Sequence, residues 1–219
     1  MIKGIIFDID GVLLDSMMIW KDLGARYLQS RGVEPEEGLG DILFSMSMEQ
    51  GADYLKEHYG LEESQGEVLA GISGMLERFY YDEVGLKPGV KELLKELKAK
   101  GIRMTAATSS PRLHVEKALA RNGISEYLER IFTSAEIGAS KHHADIYYAA
   151  AEFMGFKPGE TLVFEDSLYA LKTAKAAGFV TVGVYDANGE SDQEGVKNTG
   201  DCYLTDYSGF LRRFEANYL

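Results

Sequence analysis

Short apolar runs alternate with helix-patterned stretches along most of this chain, and one long segment breaks the alternation. The run Ile5-Ile6-Phe7 reads as a buried strand that passes straight into Asp8-Ile9-Asp10-Gly11-Val12. Much later, Leu86-Lys87-Pro88-Gly89-Val90 marks a turn and a helix start. Residues 90–100 place Val90, Leu93, Leu94 and Leu97 on one helical face, and Gly101 ends the helix. Residues 102–108 then read as a strand, and 111–122 as a helix opened by Pro111 and stopped by Gly123. A short strand at 130–134, a helix at 144–154, a strand at 160–164, a helix at 168–177 and a strand at 180–184 follow. The polar, glycine-containing residues between Gly183 and Gly200 read as an exposed loop. A last strand is expected at 202–204 and a terminal helix at 207–218.

Strands and helices alternating at these lengths predict a parallel sheet with helices on both faces. Residues 16–84 do not fit that scheme. They lack β-branched runs and are rich in Leu, Met, Glu and Tyr, with glycines at the helix joints. They predict an inserted helical domain with chain crossings near residues 13–15 and 84–88. The expected organisation is an α/β core from residues 1–15 and 85–219, and a helical domain from residues 16–84.

Composition narrows the setting. The net charge of −12 argues against a nucleic-acid or anionic-membrane partner. A single cysteine, Cys202, excludes an internal disulfide and fits a reducing compartment. No apolar run reaches membrane-spanning length, and the first residues lack the pattern of a signal peptide, so the expected location is the cytoplasm. A monomer is favoured over an oligomer.

Candidate chemistry lies where the strands end, because ligands of a parallel sheet bind beyond the carboxyl ends of its strands. The first strand ends in Asp8 and Asp10, the strand after Gly101 in Thr108-Ser109-Ser110, and the strand after Glu160 in Glu165-Asp166-Ser167. Taken singly, each run is more ordinary as a turn or a helix N-cap. Taken together on one sheet edge, the carboxylates repel one another unless a cation sits among them. A hard cation such as Mg2+ accepts one or two carboxylates and keeps positions for water and phosphate oxygens. Thr108 and the amides near Ser109 open a helix and offer donors to an anion. A phosphate ester satisfies both halves of such a site.

These residues fall in an order that resembles the haloacid dehalogenase superfamily. Phe7-Asp8-Ile9-Asp10-Gly11-Val12 with Asp15-Ser16 is similar to its first motif, Thr108-Ser109 to the second, Lys141 to the third and Phe164-Glu165-Asp166-Ser167 to the fourth. The helical insertion after the first motif resembles the cap of the β-phosphoglucomutase and phosphoglycolate-phosphatase branch. The resemblance implies a Rossmann-like core, with Asp8 as nucleophile and Asp10 as general acid and base. It implies Mg2+ held by the Asp8 carboxylate, the Asp10 backbone carbonyl and Asp166, with Glu165 one step removed. Thr108, Ser109 and Lys141 would hold the phosphoryl oxygens. The family has proline after the lysine, where this chain has His142-His143-Ala144. A metal-binding role for the two histidines is disfavoured, since adjacent histidines seldom serve one ion.

The inserted segment bears on the substrate. Trp20 stands where the mutases of this branch carry histidine, and residues 34–54 contain no Lys, Arg or His. A mutase must grip a second phosphate, and that needs cations. The expected function is therefore a Mg2+-dependent phosphatase acting on a small phosphorylated metabolite, such as a sugar phosphate. A phosphosugar mutase and a non-catalytic phospho-ligand binder are the alternatives. Trp20, Met17, Met18, Phe44, Met46 and Met48 could face the leaving group, although helix packing is the commoner use of such residues.

Overall fold

The computed structural model describes residues 1–44 and 46–210. Contacts divide the chain into two compact units, one from Met1–Ser16 and the chain from Val84 on, the other from Met17–Glu83.

The first unit is built on a six-stranded parallel sheet in the order β3-β2-β1-β4-β5-β6. Its strands are β1 (Gly4–Phe7), β2 (Arg103–Thr108), β3 (Ile131–Thr133), β4 (Thr161–Glu165), β5 (Val180–Val184) and β6 (Cys202–Leu204). β1 lies between β2 and β4, with Phe7 level with Ala106 on one side and Phe164 on the other. The connections leave β1 in both directions, so the carboxyl ends of β1, β2 and β4 surround the point where strand order reverses, the usual binding crevice of such sheets. Burial on both faces explains why β1 and the Leu162–Phe164 stretch of β4 are continuously apolar rather than alternating. The rings of Phe7 and Phe164 lie 4.7 Å apart at a tilt of 40°, and Phe210 meets Phe164 edge-on at 5.2 Å.

Helices α5 (Val90–Ala99), α6 (Arg112–Arg121), α7 (Ser134–Ile137), α8 (Asp145–Met154), α9 (Leu168–Ala176) and α10 (Gln193–Thr199) belong to the same unit. The apolar stripe of α5 is buried at Val90, Leu93, Leu94 and Leu97. Helix α10 corrects the expected exposed loop between Gly183 and Gly200. Asp192 caps it by accepting from the Gly195 amide at 2.8 Å, and Val196 is fully buried. One apolar residue in seven gives too little periodicity to read from sequence. The chain bends at Tyr207 and turns at Ser208 and Gly209, so helical conformation is reached only at Phe210, and the rest of the expected terminal helix lies outside the described residues.

The second unit contains α1 (Met18–Ser30), α2 (Leu39–Phe44), α3 (Met48–Tyr59) and α4 (Gln65–Arg78), followed by a π-helical turn at Phe79–Glu83. Serines start two of its helices by capping boxes, Ser47 with Gln50 and Ser64 with Glu67. Gly60 ends α3 in the left-handed conformation. Where the chain leaves the sheet unit and returns, it pairs with itself: Asp15 donates its amide to Gly85 O, Lys87 donates to Leu13 O, and Leu14 faces Leu86 in an antiparallel bridge. Among the described residues, no helix is long and apolar enough to cross a membrane.

Candidate active site

Asp8 follows the last residue of β1, while Glu165 ends β4 and Asp166 follows it. Adjacent parallel strands in register thus deliver three acids to one place. Oxygens from the Asp8, Glu165 and Asp166 carboxylates lie within 4.8 Å of one another, and all three residues are buried. Sequence reasoning set Glu165 apart from Asp8 and Asp166, yet its carboxylate belongs to the same cluster.

Lys141 reaches into this cluster from the loop between α7 and α8. It is 3 % exposed, and its Nζ donates to Asp8 Oδ1 and, at 2.8 Å, to Glu165 Oε1. Tyr147, in the first turn of α8, donates its hydroxyl to the same Glu165 oxygen at 2.7 Å. Glu165 Oε2, in contrast, is buried with no hydrogen-bond partner. Tyr147 escaped sequence reasoning because its i+6 spacing from Lys141 crosses a loop–helix junction, and the loop's path decides whether they meet.

Electrostatics follow from crowding. Burial is the largest influence on Asp8 and lifts its pKa well above the ordinary carboxylate value; Lys141 opposes this, while Glu165, Asp166 and Asp10 add to it. Asp166 is pushed up to about 7 by burial and then by the Glu165 charge, against the pull of Lys141. At Lys141 burial favours the neutral amine, but Asp8 and Glu165 outweigh it, and its pKa rises above the ordinary lysine value. Three carboxylates against one ammonium leave excess negative charge in a buried place.

The Asp10 carboxylate lies outside this cluster and is oriented separately. Ser16 Oγ donates to its Oδ1 at 2.7 Å and Ser110 Oγ to its Oδ2 at 2.6 Å. Gly11, with φ of 72°, makes the turn that follows, and its carbonyl accepts from Lys87 Nζ at 2.8 Å. Lys87 also binds Asp186 Oδ2 at 2.9 Å and Tyr185 O at 2.6 Å, which ties the β5 end to this turn. Gly189 passes close to the cluster: a Cβ there would lie 3.0 Å from Asp166 Oδ2. Thr108, at the end of β2, is buried, and its Oγ1 accepts the Ser110 amide at 3.0 Å. Ser109 Oγ meets Ser134 Oγ at 3.2 Å rather than any of the acids. The expected donor stretch therefore sits beside the acids, with the Ser110 hydroxyl an unforeseen link between β2 and Asp10. His142 stacks on Tyr169 at 4.4 Å, which gives the proline-free loop after Lys141 an aromatic anchor. Trp20 belongs to the helical unit, on α1.

A family model described as "haloacid dehalogenase-like hydrolase" matches residues 2–178 of this chain. The chain belongs to the haloacid dehalogenase-like hydrolase family. A phosphorylated carbohydrates phosphatase of Thermotoga maritima is 27 % identical over 176 residues, 80 % of this chain and 82 % of that protein. A phosphoglycolate phosphatase of Yersinia pestis is 28 % identical over 218 residues, 96 % of this chain and 92 % of that protein. A solved Thermotoga maritima structure, described as a candidate β-phosphoglucomutase, superposes with a TM-score of 0.88 at 24 % identity, over 99 % of this chain and 100 % of that one.

Haloacid dehalogenase-like hydrolases generally use Mg2+, and the donor set here suits that ion. It is made of hard carboxylate oxygens, it carries uncompensated negative charge, and Glu165 Oε2 is a buried acceptor lacking a donor.

Proposed function

We propose that this hydrolase is a Mg2+-dependent phosphomonoesterase that works through an aspartyl phosphate on Asp8. The observation that carries this reading is the buried Asp8–Glu165–Asp166 cluster with the Lys141 ammonium inside it. The names of the phosphatase relatives support it as well. Mg2+ would be held by the Asp8 and Asp166 carboxylates with the Asp10 backbone carbonyl, and Glu165 would support it. When bound, the ion supplies charge neutralisation between the attacking carboxylate and the phosphoryl oxygens.

The chain's own groups do the rest. Asp8 attacks phosphorus, and the ester oxygen departs with a proton from Asp10. Ser16 and Ser110 hold Asp10 through hydroxyls, which can donate to a carboxylate or accept from a carboxylic acid, so they orient it in both protonation states. Asp10 then takes a proton from the water that cleaves the aspartyl phosphate. Lys141 bonds a carboxylate oxygen of the nucleophile and stays charged, which places a cation where the phosphoryl oxygens arrive. Thr108 and the Ser109 amide provide further donors at the end of β2. The substrate is a small organic phosphate.

The test is phosphate release from a panel of phosphorylated metabolites, with Mg2+ and with chelator. Release should need the ion and vanish in Asp8→Asn with the circular dichroism spectrum unchanged. Near-normal Mg2+-dependent release by Asp8→Asn would overturn the covalent route, and interconversion of hexose phosphates without net release would overturn the phosphatase assignment.

A further inference from the structure

Lys87 stands in the turn Leu86-Lys87-Pro88-Gly89, just ahead of α5. Its backbone is pinned there: its amide donates to Leu13 O at 3.0 Å, and Pro88 restricts it to extended conformations. Lysine side chains are ordinarily exposed, but this one is only 13 % exposed. Its ammonium finds three acceptors inside the fold, Gly11 O at 2.8 Å, Tyr185 O at 2.6 Å and Asp186 Oδ2 at 2.9 Å, which exhausts its donors.

These acceptors lie on two segments that border the acid cluster. Gly11 follows Asp10, and a glycine at φ of 72° is where that turn is freest to move, so the bond to its carbonyl removes freedom where there is most of it. Tyr185 and Asp186 leave the carboxyl end of β5. Asp186 Oδ1 accepts the Asn188 amide at 2.8 Å, which folds the loop back on itself. That fold-back brings Gly189 so close to Asp166 that a Cβ would stand 3.0 Å from Asp166 Oδ2 and 3.2 Å from Asp186 Cβ. Glu190 then accepts the Leu168 amide at 3.2 Å, at the start of α9. The loop thus leans on Asp166, and Lys87 ties it to the turn after Asp10.

We propose that Lys87 is a positioning residue for the ion site: its ammonium clamps the Asp10–Gly11 turn to the loop beside Asp166, and Mg2+ affinity depends on that clamp. On the Mg2+-dependent reading, on which this role depends, the Asp10 backbone carbonyl and the Asp166 carboxylate serve one ion, and Lys87 acts on them through Gly11 and through the approach of Gly189. Removing an outer group that orients metal ligands typically costs about 10–100-fold in affinity. Charge and position predict opposite signs here. On charge alone, loss of the ammonium leaves the Asp186 carboxylate uncompensated near Asp166, and a more negative site holds a cation more tightly. Loss of the clamp weakens the ion instead.

The experiment follows thermal unfolding of the full chain at pH 8 across a series of MgCl2 concentrations. It compares the unaltered protein, Lys87→Met, and Lys87→Met combined with Asp186→Asn. The double variant removes both charges, so no lone buried carboxylate opposes its folding, and it decides the matter should Lys87→Met fail to fold. An ion that binds only the folded chain raises Tm once its concentration passes Kd. A purely structural loss lowers Tm and leaves that dependence where it was. The expected result is a Tm rise displaced to about tenfold higher Mg2+ or more in both variants. An undisplaced rise, or one at lower Mg2+, overturns the clamp and leaves the Mg2+ reading intact. A Tm indifferent to Mg2+ in the unaltered protein overturns the Mg2+ reading and the clamp with it.

A second arm measures the Mg2+ concentration for half-maximal phosphate release, which should rise by the same factor in Lys87→Met. A lower kcat at an unchanged half-maximal concentration overturns the clamp. Release from no member of the metabolite panel overturns the phosphatase reading, while the thermal arm still judges Lys87.

Discussion

Removing divalent cations should make this protein less stable as pH rises from 5 to 7, the reverse of ordinary acid destabilisation. The reason is Asp166, whose pKa is pushed from 3.8 to about 7 by burial and by the Glu165 charge. Between those values the folded chain holds a proton that the unfolded chain has released. Unfolding then releases that proton, so each step up in pH favours the unfolded state. This group's contribution is fully present below the unfolded pKa and is lost as pH rises through the folded one. The slope approaches about 1.4 kcal/mol per pH unit, and integrating from pH 5 to 7 gives a loss of about 2 kcal/mol. For a chain of this size that is roughly 4–8 °C in Tm. The raised Asp8 pKa acts in the same direction. The assay is thermal unfolding followed by circular dichroism, in chelator, for the unaltered protein and for Asp166→Asn. The unaltered protein should lose Tm over this range, and Asp166→Asn should flatten the curve by about the stated amount. Saturating Mg2+ should remove the slope from the unaltered protein, because a bound cation favours the ionised carboxylates. Parallel curves for the two proteins in chelator, or a Tm that climbs from pH 5 to 7 in the unaltered protein, would refute the reasoning.

Three further outcomes follow from single contacts. Lys141→Met should lower metal-free stability at pH 8 by about 3–5 kcal/mol in urea titration, because it leaves Asp8 and Glu165 buried without their cation. Tyr147→Phe should cost about 1–3 kcal/mol, since the hydroxyl it deletes bonds the buried Glu165 carboxylate, and a value near zero would show that contact to be idle. Asp192→Ala should cost about 1 kcal/mol and raise amide exchange across α10 with the sheet unaffected, because it removes the N-cap bond to Gly195.

Much of the architecture was legible because each strand of the sheet carries its own punctuation. Proline or glycine brackets the helices, β5 and β6 match their expected residue ranges, and the other strand ends differ by a residue or so. Helix α10 was illegible for the opposite reason: its signal is one buried valine and one capping aspartate among polar residues. At the site, the parallel-sheet rule pointed to the acids after β1 and at the end of β4, and the structure brings Asp8, Glu165, Asp166 and Lys141 together. The bonds that orient them were not legible. Ser110 reaching Asp10, Tyr147 reaching Glu165 and Lys87 reaching Asp186 all link positions far apart in the chain or on different elements, where side-chain direction decides the partner.

The antiparallel bridge between Leu14 and Leu86 has a topological consequence. Opposed residues of such a pair sit about 5 Å apart at the backbone, so the intervening helices begin and end at nearly one point. For the sheet they amount to a closed detour, because Asp15 and Gly85 are already joined by a backbone hydrogen bond on the sheet side of it. The excursion from Met17 to Glu83 can therefore change in length or composition without asking the sheet to refold, while Ser16, which precedes it, keeps its bond to Asp10.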